Sequence, residues 1–120
     1  MRVGITHNPP WTDTSSSGPV TGSEVTLLEE FAESRDAEID WVEGSEGVLA
    51  DALREGDIDV AIGGFTDDTP WTEKAAVSAA YREVRNDRGV MEKHVVLSRL
   101  GENRLLVELE EFLRKNGAGR

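Results

Sequence analysis

The sequence predicts an α/β protein, a three-layer αβα domain with a mostly parallel five-stranded sheet and one antiparallel strand. Three observations carry this expectation. Short β-branched runs alternate along the chain with amphipathic segments of helical period, the order of a sheet with helices on both faces. One run, Ile58–Ile62, is nearly continuous apolar sequence, as a central strand covered on both sides must be. The 120 residues, without a single cysteine, suffice for one such core but not for two.

Arg2–Thr6 reads as a strand through Val3 and Ile5. His7-Asn8-Pro9-Pro10-Trp11 ends it, because paired prolines cannot continue a ladder. Thr12–Thr21, with Ser15-Ser16-Ser17-Gly18-Pro19, reads as an exposed loop. A helix follows from an N-cap at Ser23, with Val25, Leu28, Phe31 and Ala32 on its apolar face and Glu24 at the positive end of its dipole. Ala37–Val42 alternates and places Ile39 and Trp41 on one face of a second strand. Ser45 caps a short helix presenting Val48, Leu49, Ala52 and Leu53, and Gly56 supplies the left-handed residue that ends it.

Gly63-Gly64 closes the central strand, and Thr69-Pro70-Trp71 reads as the start of a short helix with proline in its first turn. Ala75–Ala80 leads to Tyr81. Residues 82–99 read as two strands about the turn Asn86-Asp87-Arg88-Gly89, the second being Val95–Leu97. The last helix starts near Glu102 and presents Leu105, Leu106, Leu109, Phe112 and Leu113. Arg114 and Lys115 lie in its final turn, and Gly117 is its expected stop.

The net charge of −11 is unevenly spread: residues 1–80 carry −13 and residues 81–120 carry +2. Such a surface repels phosphate backbones and anionic membranes, which disfavours nucleic-acid and lipid partners. No apolar run nears the ~20 residues of a membrane helix, and no basic start followed by an apolar stretch opens the chain. A soluble chain, leaderless or already processed, is expected. His7 and His94 are the only histidines, and neither has a second histidine or a cysteine at ligand spacing, so no metal or cofactor is expected. The run GGFTDDTPW matches no phosphate-binding glycine pattern, and no nucleophile elbow occurs, so catalysis is not expected.

The aromatics say more. Trp41 lies within a strand and reads as core. Trp11, Phe65 and Trp71 instead follow strands at their carboxyl ends, where open parallel sheets bind ligands. They form either a ligand-facing wall or a cover packed over loop ends.

The segments RVGITHNPPW, GPVTGSEVTLLEEFAE and GVLADALREGDIDVAIGGFTDDTPW resemble, in family order, lobe one of bacterial extracytoplasmic solute-binding proteins, of the amino-acid-binding type that feeds ABC transporters. Tyr81 takes the place of that family's aromatic before its interdomain crossing. HVVLSRLGENRLLVELEEFLRKNG looks like the returning strand and last helix of the lobe. The resemblance implies a periplasmic-binding-protein-like single lobe over residues 1–120, non-catalytic binding of a small-molecule solute, an extracytoplasmic location and a transporter permease as partner.

Two departures qualify it. Only the 12 residues Arg82–Lys93 separate Tyr81 from His94, too few for a second αβ lobe, so a short turn is expected in its place. Typical amino-acid binders also carry an arginine after the GGxT segment that clamps the substrate carboxylate, and the matching position here is Trp71. Aromatic, amide or cationic ligands therefore fit better than an ordinary amino acid.

The expected ligand-binding residues are Trp11, Phe65, Thr66, Asp68 and Trp71. The indoles would stack, Thr66 and Asp68 would hydrogen-bond, and Gly63-Gly64 would permit close approach. The alternative is a protein-interaction or scaffold domain that has lost small-molecule binding along with its second lobe. Half a clamshell covers one face of a ligand, so binding no tighter than roughly millimolar is expected. Exposed rings beside a strongly acidic surface predict a monomer at low ionic strength and weak dimers as salt rises.

Overall fold

The computed structural model describes residues 1–15 and 18–116. The elements run β1 (Arg2–Ile5), α1 (Ser23–Ser34), β2 (Asp40–Glu43), α2 (Glu46–Glu55), β3 (Val60–Ile62) and β4 (Ala76–Val77). There follow β5 (Arg82–Arg85), β6 (Met91–His94), β7 (Leu97–Ser98) and α3 (Asn103–Asn116). β1 pairs in parallel with β2 and with β3, and the main sheet has the order β2-β1-β3-β7-β4. β7 is antiparallel to both of its neighbours, so four strands share one direction and one opposes them. The expected α/β architecture is the one observed.

Strand alternation divides the core between two faces. Val3, Ile5, Val60 and Ile62 point to one side, where α1 covers them with Val25, Leu28 and Phe31 and α3 with Leu109 and Leu113. Ala61 and Leu97 lie on the other side beneath Leu49 and Leu53 of α2. Fully burying each of the large side chains stabilises the fold by about 1.5–3 kcal/mol. α2 approaches β1 so closely that a Cβ on Gly4 would stand 2.6 Å from Ile58 Cδ1 and 2.8 Å from Leu49 Cδ2.

Several local expectations are corrected. The N-cap of α1 is Gly22 rather than Ser23, and no side chain caps this end. Gly22 has φ +132, and a Cβ there would lie 2.2 Å from the Trp11 carbonyl oxygen, so close packing against the first loop decides the residue. The second strand starts at Asp40, which leaves Ile39 before it. Thr69-Pro70-Trp71 opens turns, not a helix, because the chain reaches the sheet at β4 within a few residues. Thr12, placed in an exposed loop, is buried and its hydroxyl donates to the Thr6 carbonyl at 2.5 Å.

Residues 82–93 form the expected hairpin, but its second strand is β6 rather than the Val95–Leu97 run. β5 pairs with β6 in a separate two-stranded sheet, with Arg82 opposite His94 and Val84 opposite Glu92. The turn 86–89 is as anticipated: Asn86 Oδ1 accepts from the Arg88 and Val90 amides, and Gly89 has φ +77. The apolar run that follows does not serve the hairpin. Leu97 joins Ser98 in the main sheet, where burial on both sides is available. Ser45 does cap α2, accepting from the Val48 amide at 3.3 Å, and Gly56 ends it at φ +81. The stop expected at Gly117 lies outside the described residues, as do Ser16 and Ser17 of the first loop.

Candidate functional site

The carboxyl ends of β1, β2 and β3 open onto three loops, and a tight junction lies at the end of β3. Gly64 has φ +69, and a Cβ there would fall 2.4 Å from Asn8 Nδ2 and 2.8 Å from Trp11 Cδ1. The first loop therefore rests directly on the Gly63-Gly64 backbone, and Asn8 Nδ2 donates to the Gly63 carbonyl at 2.8 Å.

Beneath this junction lies a buried polar cluster. Glu24, only 1% exposed, enters it from the first turn of α1. Its Oε1 accepts from the amides of Gly63 (3.2 Å) and Gly64 (2.7 Å), and its Oε2 accepts from the Tyr81 hydroxyl. Burial, and then the neighbouring Glu24 carboxylate, hold the Tyr81 phenol far above its ordinary value, so it remains a donor. His94, also 1% exposed, has Nδ1 3.9 Å from Glu24 Oε2. Burial pushes its imidazole below the ordinary value against the opposing pull of Glu24, while the Arg82 charge adds to the lowering.

Around the cluster sit the surface groups. The Trp11 ring meets the His94 ring edge to face, with centroids 4.7 Å apart. The Arg82 guanidinium stands 5.4 Å above the Trp11 ring and 5.3 Å from that of Tyr81, and its Nη1 donates to Ser23 Oγ at 3.1 Å. Thr66 bridges to His94 through the backbone, and its hydroxyl donates to the Asp68 carboxylate.

The five expected residues are thus distributed unequally. Trp11 and Thr66 both touch His94, and Asp68 joins them through Thr66. Trp71 is tied to α2 instead: its indole N–H donates to Glu46 at 3.0 Å, and the Lys74 ammonium lies 5.7 Å from its ring. Phe65 is 4% exposed and sits in the core beneath α2 with Leu49 and Val95. Its carbonyl accepts from the Val95 amide at 2.9 Å, a pairing that accompanies the inward turn of the ring. His7 is exposed, 3.8 Å from Asp13. No group of residues suited to a metal occurs among the described residues.

Glu24, Tyr81, Arg82 and His94 were not singled out from the sequence as site residues. A signal for Glu24 was present, since it lies four and seven residues before Leu28 and Phe31 and so on the apolar stripe of α1. The convergence of the other three depends on the hairpin folding back over the sheet.

An α/β lobe that gathers aromatic rings, a hydroxyl–carboxylate pair and a glycine turn at the carboxyl edge of parallel strands is a solute-binding type of module. The chain belongs to the bacterial extracellular solute-binding proteins, family 3, whose pattern its residues 1–117 match. No curated protein matches it in sequence. Among solved structures it is similar to the arginine-bound form of domain 1 from TmArgBP, of T. maritima, with 26% identity and a TM-score of 0.82 over 96% of this chain and 91% of that one. A point mutant of that domain, also arginine-bound, gives 26% identity and a TM-score of 0.83 over 96% and 89%. A Salmonella typhimurium periplasmic binding protein described by its high arginine specificity shares the fold, with 12% identity and a TM-score of 0.79 over 95% and 91%. The family and these neighbours are binding proteins. Among the described residues no helix is long and apolar enough to cross a membrane.

Proposed function

We propose that the chain binds a small cationic solute of the amino-acid class, without catalysis, at the carboxyl edge of β1 and β3. The observation that carries this reading is the Arg82 guanidinium over the Trp11 ring, 5.4 Å from its centroid, a planar cation of the chain's own on the aromatic face. Asp68, held by the Thr66 hydroxyl, and the −13 charge of residues 1–80 favour a cation over an anion. Trp71 stands where a carboxylate-clamping arginine would, which moves recognition toward the positive end of the solute. In this reading Trp11 offers the ring, Thr66 and Asp68 offer polar contacts, and Trp71 with Glu46 forms a more distant wall. Phe65 supports the loop from within the core.

The arginine-bound state of domain 1 from TmArgBP supports binding by one lobe alone. The β5–β6 hairpin then stands where a two-lobed relative would cross to its second lobe. An extracytoplasmic location and a transporter permease as partner belong to the same reading.

Titration with arginine, lysine, glutamine and phenylalanine, followed by amide and indole NMR signals, tests it. Arginine should move the Trp11 indole and Thr66 amide with a Kd of about a millimolar, since one lobe covers one face of the solute. Trp11→Ala should abolish the response and Asp68→Asn should weaken it. No response to any of the four would favour the interaction-domain reading.

A further inference from the structure

A second feature lies at the opposite end of the molecule. Glu24, near the start of α1, touches Gly63 at the proposed solute edge, and the helix ends at Ser34, ~15 Å further along its axis, with Asp36 just beyond. There, between the C-terminal half of α1 and β2, runs a groove of about 550 Å³. Its apolar floor includes Ile39 and Trp41, and its rim carries Glu29, Glu33, Asp36 and Glu38. No lysine or arginine lines it, and none of these four carboxylates forms an ion pair among the described residues.

The groove borders a free sheet edge. Among the described residues β2 is the outermost strand and pairs only with β1. The Asp40 and Gly44 amides donate to Met1 (2.8 Å) and Ile5 (3.1 Å), so strand alternation turns the N–H and C=O groups of Trp41 and Glu43 outward. An unpaired edge invites another strand, and acidic side chains decide which. A second copy of this edge would bring Glu38, Asp40 and Glu43 against their like, which is destabilising. An extended basic segment meets the opposite situation.

We propose that this groove and edge dock an extended, lysine- or arginine-rich segment of a partner protein. The segment adds as a strand beside β2 and lays a basic side chain on the Trp41 ring between the carboxylates of Glu29 and Glu33.

The test is an NMR titration of the full chain with three probes: an octapeptide alternating lysine and threonine, the same peptide with glutamate for lysine, and spermidine. The lysine peptide should shift the Trp41 indole and the Trp41 and Glu43 amides saturably, and should slow hydrogen exchange at those two amides. The combined Glu29→Gln and Glu33→Gln variant should weaken that binding about threefold to tenfold, as two part-exposed ion pairs warrant. Glu73→Gln, a charge change elsewhere, should leave it unaltered, and thermal melting establishes that both variants are folded. The glutamate peptide should give no shift. Three results would overturn the proposal: equal shifts with spermidine at the same concentration, shifts spread without saturation over the whole acidic surface, or unchanged exchange at Trp41 and Glu43.

Discussion

Replacing Glu24 probes the junction on which the proposed solute edge rests. Its carboxylate accepts from two backbone amides, Gly63 and Gly64, and from the Tyr81 hydroxyl, all in a site with almost no solvent. Glu24→Ala strands three donors, and each buried unsatisfied group costs about 1–3 kcal/mol. Relief from carboxylate desolvation, and a water admitted to the space, return part of that loss. A net destabilisation of about 3–5 kcal/mol is expected. Glu24→Gln keeps an oxygen for the two amides and offers its NH2 to the Tyr81 oxygen, which can rotate to accept, so about 1–2 kcal/mol is expected.

Urea unfolding followed by tryptophan fluorescence measures both, provided the m-value is constant. For a chain of this length the alanine variant should melt about 10–20 °C lower. A Tyr81→Phe background completes a double-mutant cycle that isolates the Tyr81–Glu24 bond. An alanine variant that loses less than about 1 kcal/mol, or a glutamine variant as damaged as the alanine one, would refute the assignment of Glu24 as the acceptor that holds the glycine turn.

Burial lowers the affinity of the folded His94 imidazole for a proton, whereas the unfolded chain takes one up as pH falls through 6.5. Stability should therefore decline from about pH 6.5 downward, and His94→Asn should flatten that slope; an unchanged slope between pH 5 and 7 would contradict it. Asp59 acts in a lower window. Burial opposes its ionisation, but the Arg2 amide and side chain and Arg99 outweigh it and hold the carboxyl below 3.8, so Asp59→Asn should reduce the stability lost in acid below that value. Gly64→Ala should displace Trp11 and Asn8, costing about 1–3 kcal/mol and shifting the Trp11 indole signal, whereas an Ala substitution at the freely exposed Gly101 should leave that signal unmoved.

Much of the lobe was legible from local pattern. The 3.6-residue period picked out the three helices, Ser45 and Gly56 marked both ends of α2, and the apolar Ile58–Ile62 run identified the central strand. Elements that depend on distant partners were less legible. Thr69-Pro70-Trp71 has helix-start chemistry, yet the short reach to β4 leaves room only for turns. Val95–Leu97 reads as one strand, yet only Leu97 enters the main sheet, while Val95 and Val96 link it to the hairpin and bond to Phe65 and Ser78 instead.

The site follows the same division. Aromatic and polar residues after strand ends could be named from sequence alone, because strand direction fixes which loops share an edge. Which of their rings face outward could not be. Phe65 and Trp11 are both aromatic residues in loops that follow a parallel strand, but Phe65 lies in the core beneath α2, where its carbonyl accepts from the Val95 amide, while Trp11 is held half-open against His94. Sequence by itself determined the class of fold, the acidity of the surface and the edge where the loops gather, since these depend on periodicity, composition and chain order. Only the tertiary structure decided that Glu24, Tyr81, Arg82 and His94 converge, because residues 57 to 70 positions apart meet solely when the hairpin folds over the first turn of α1.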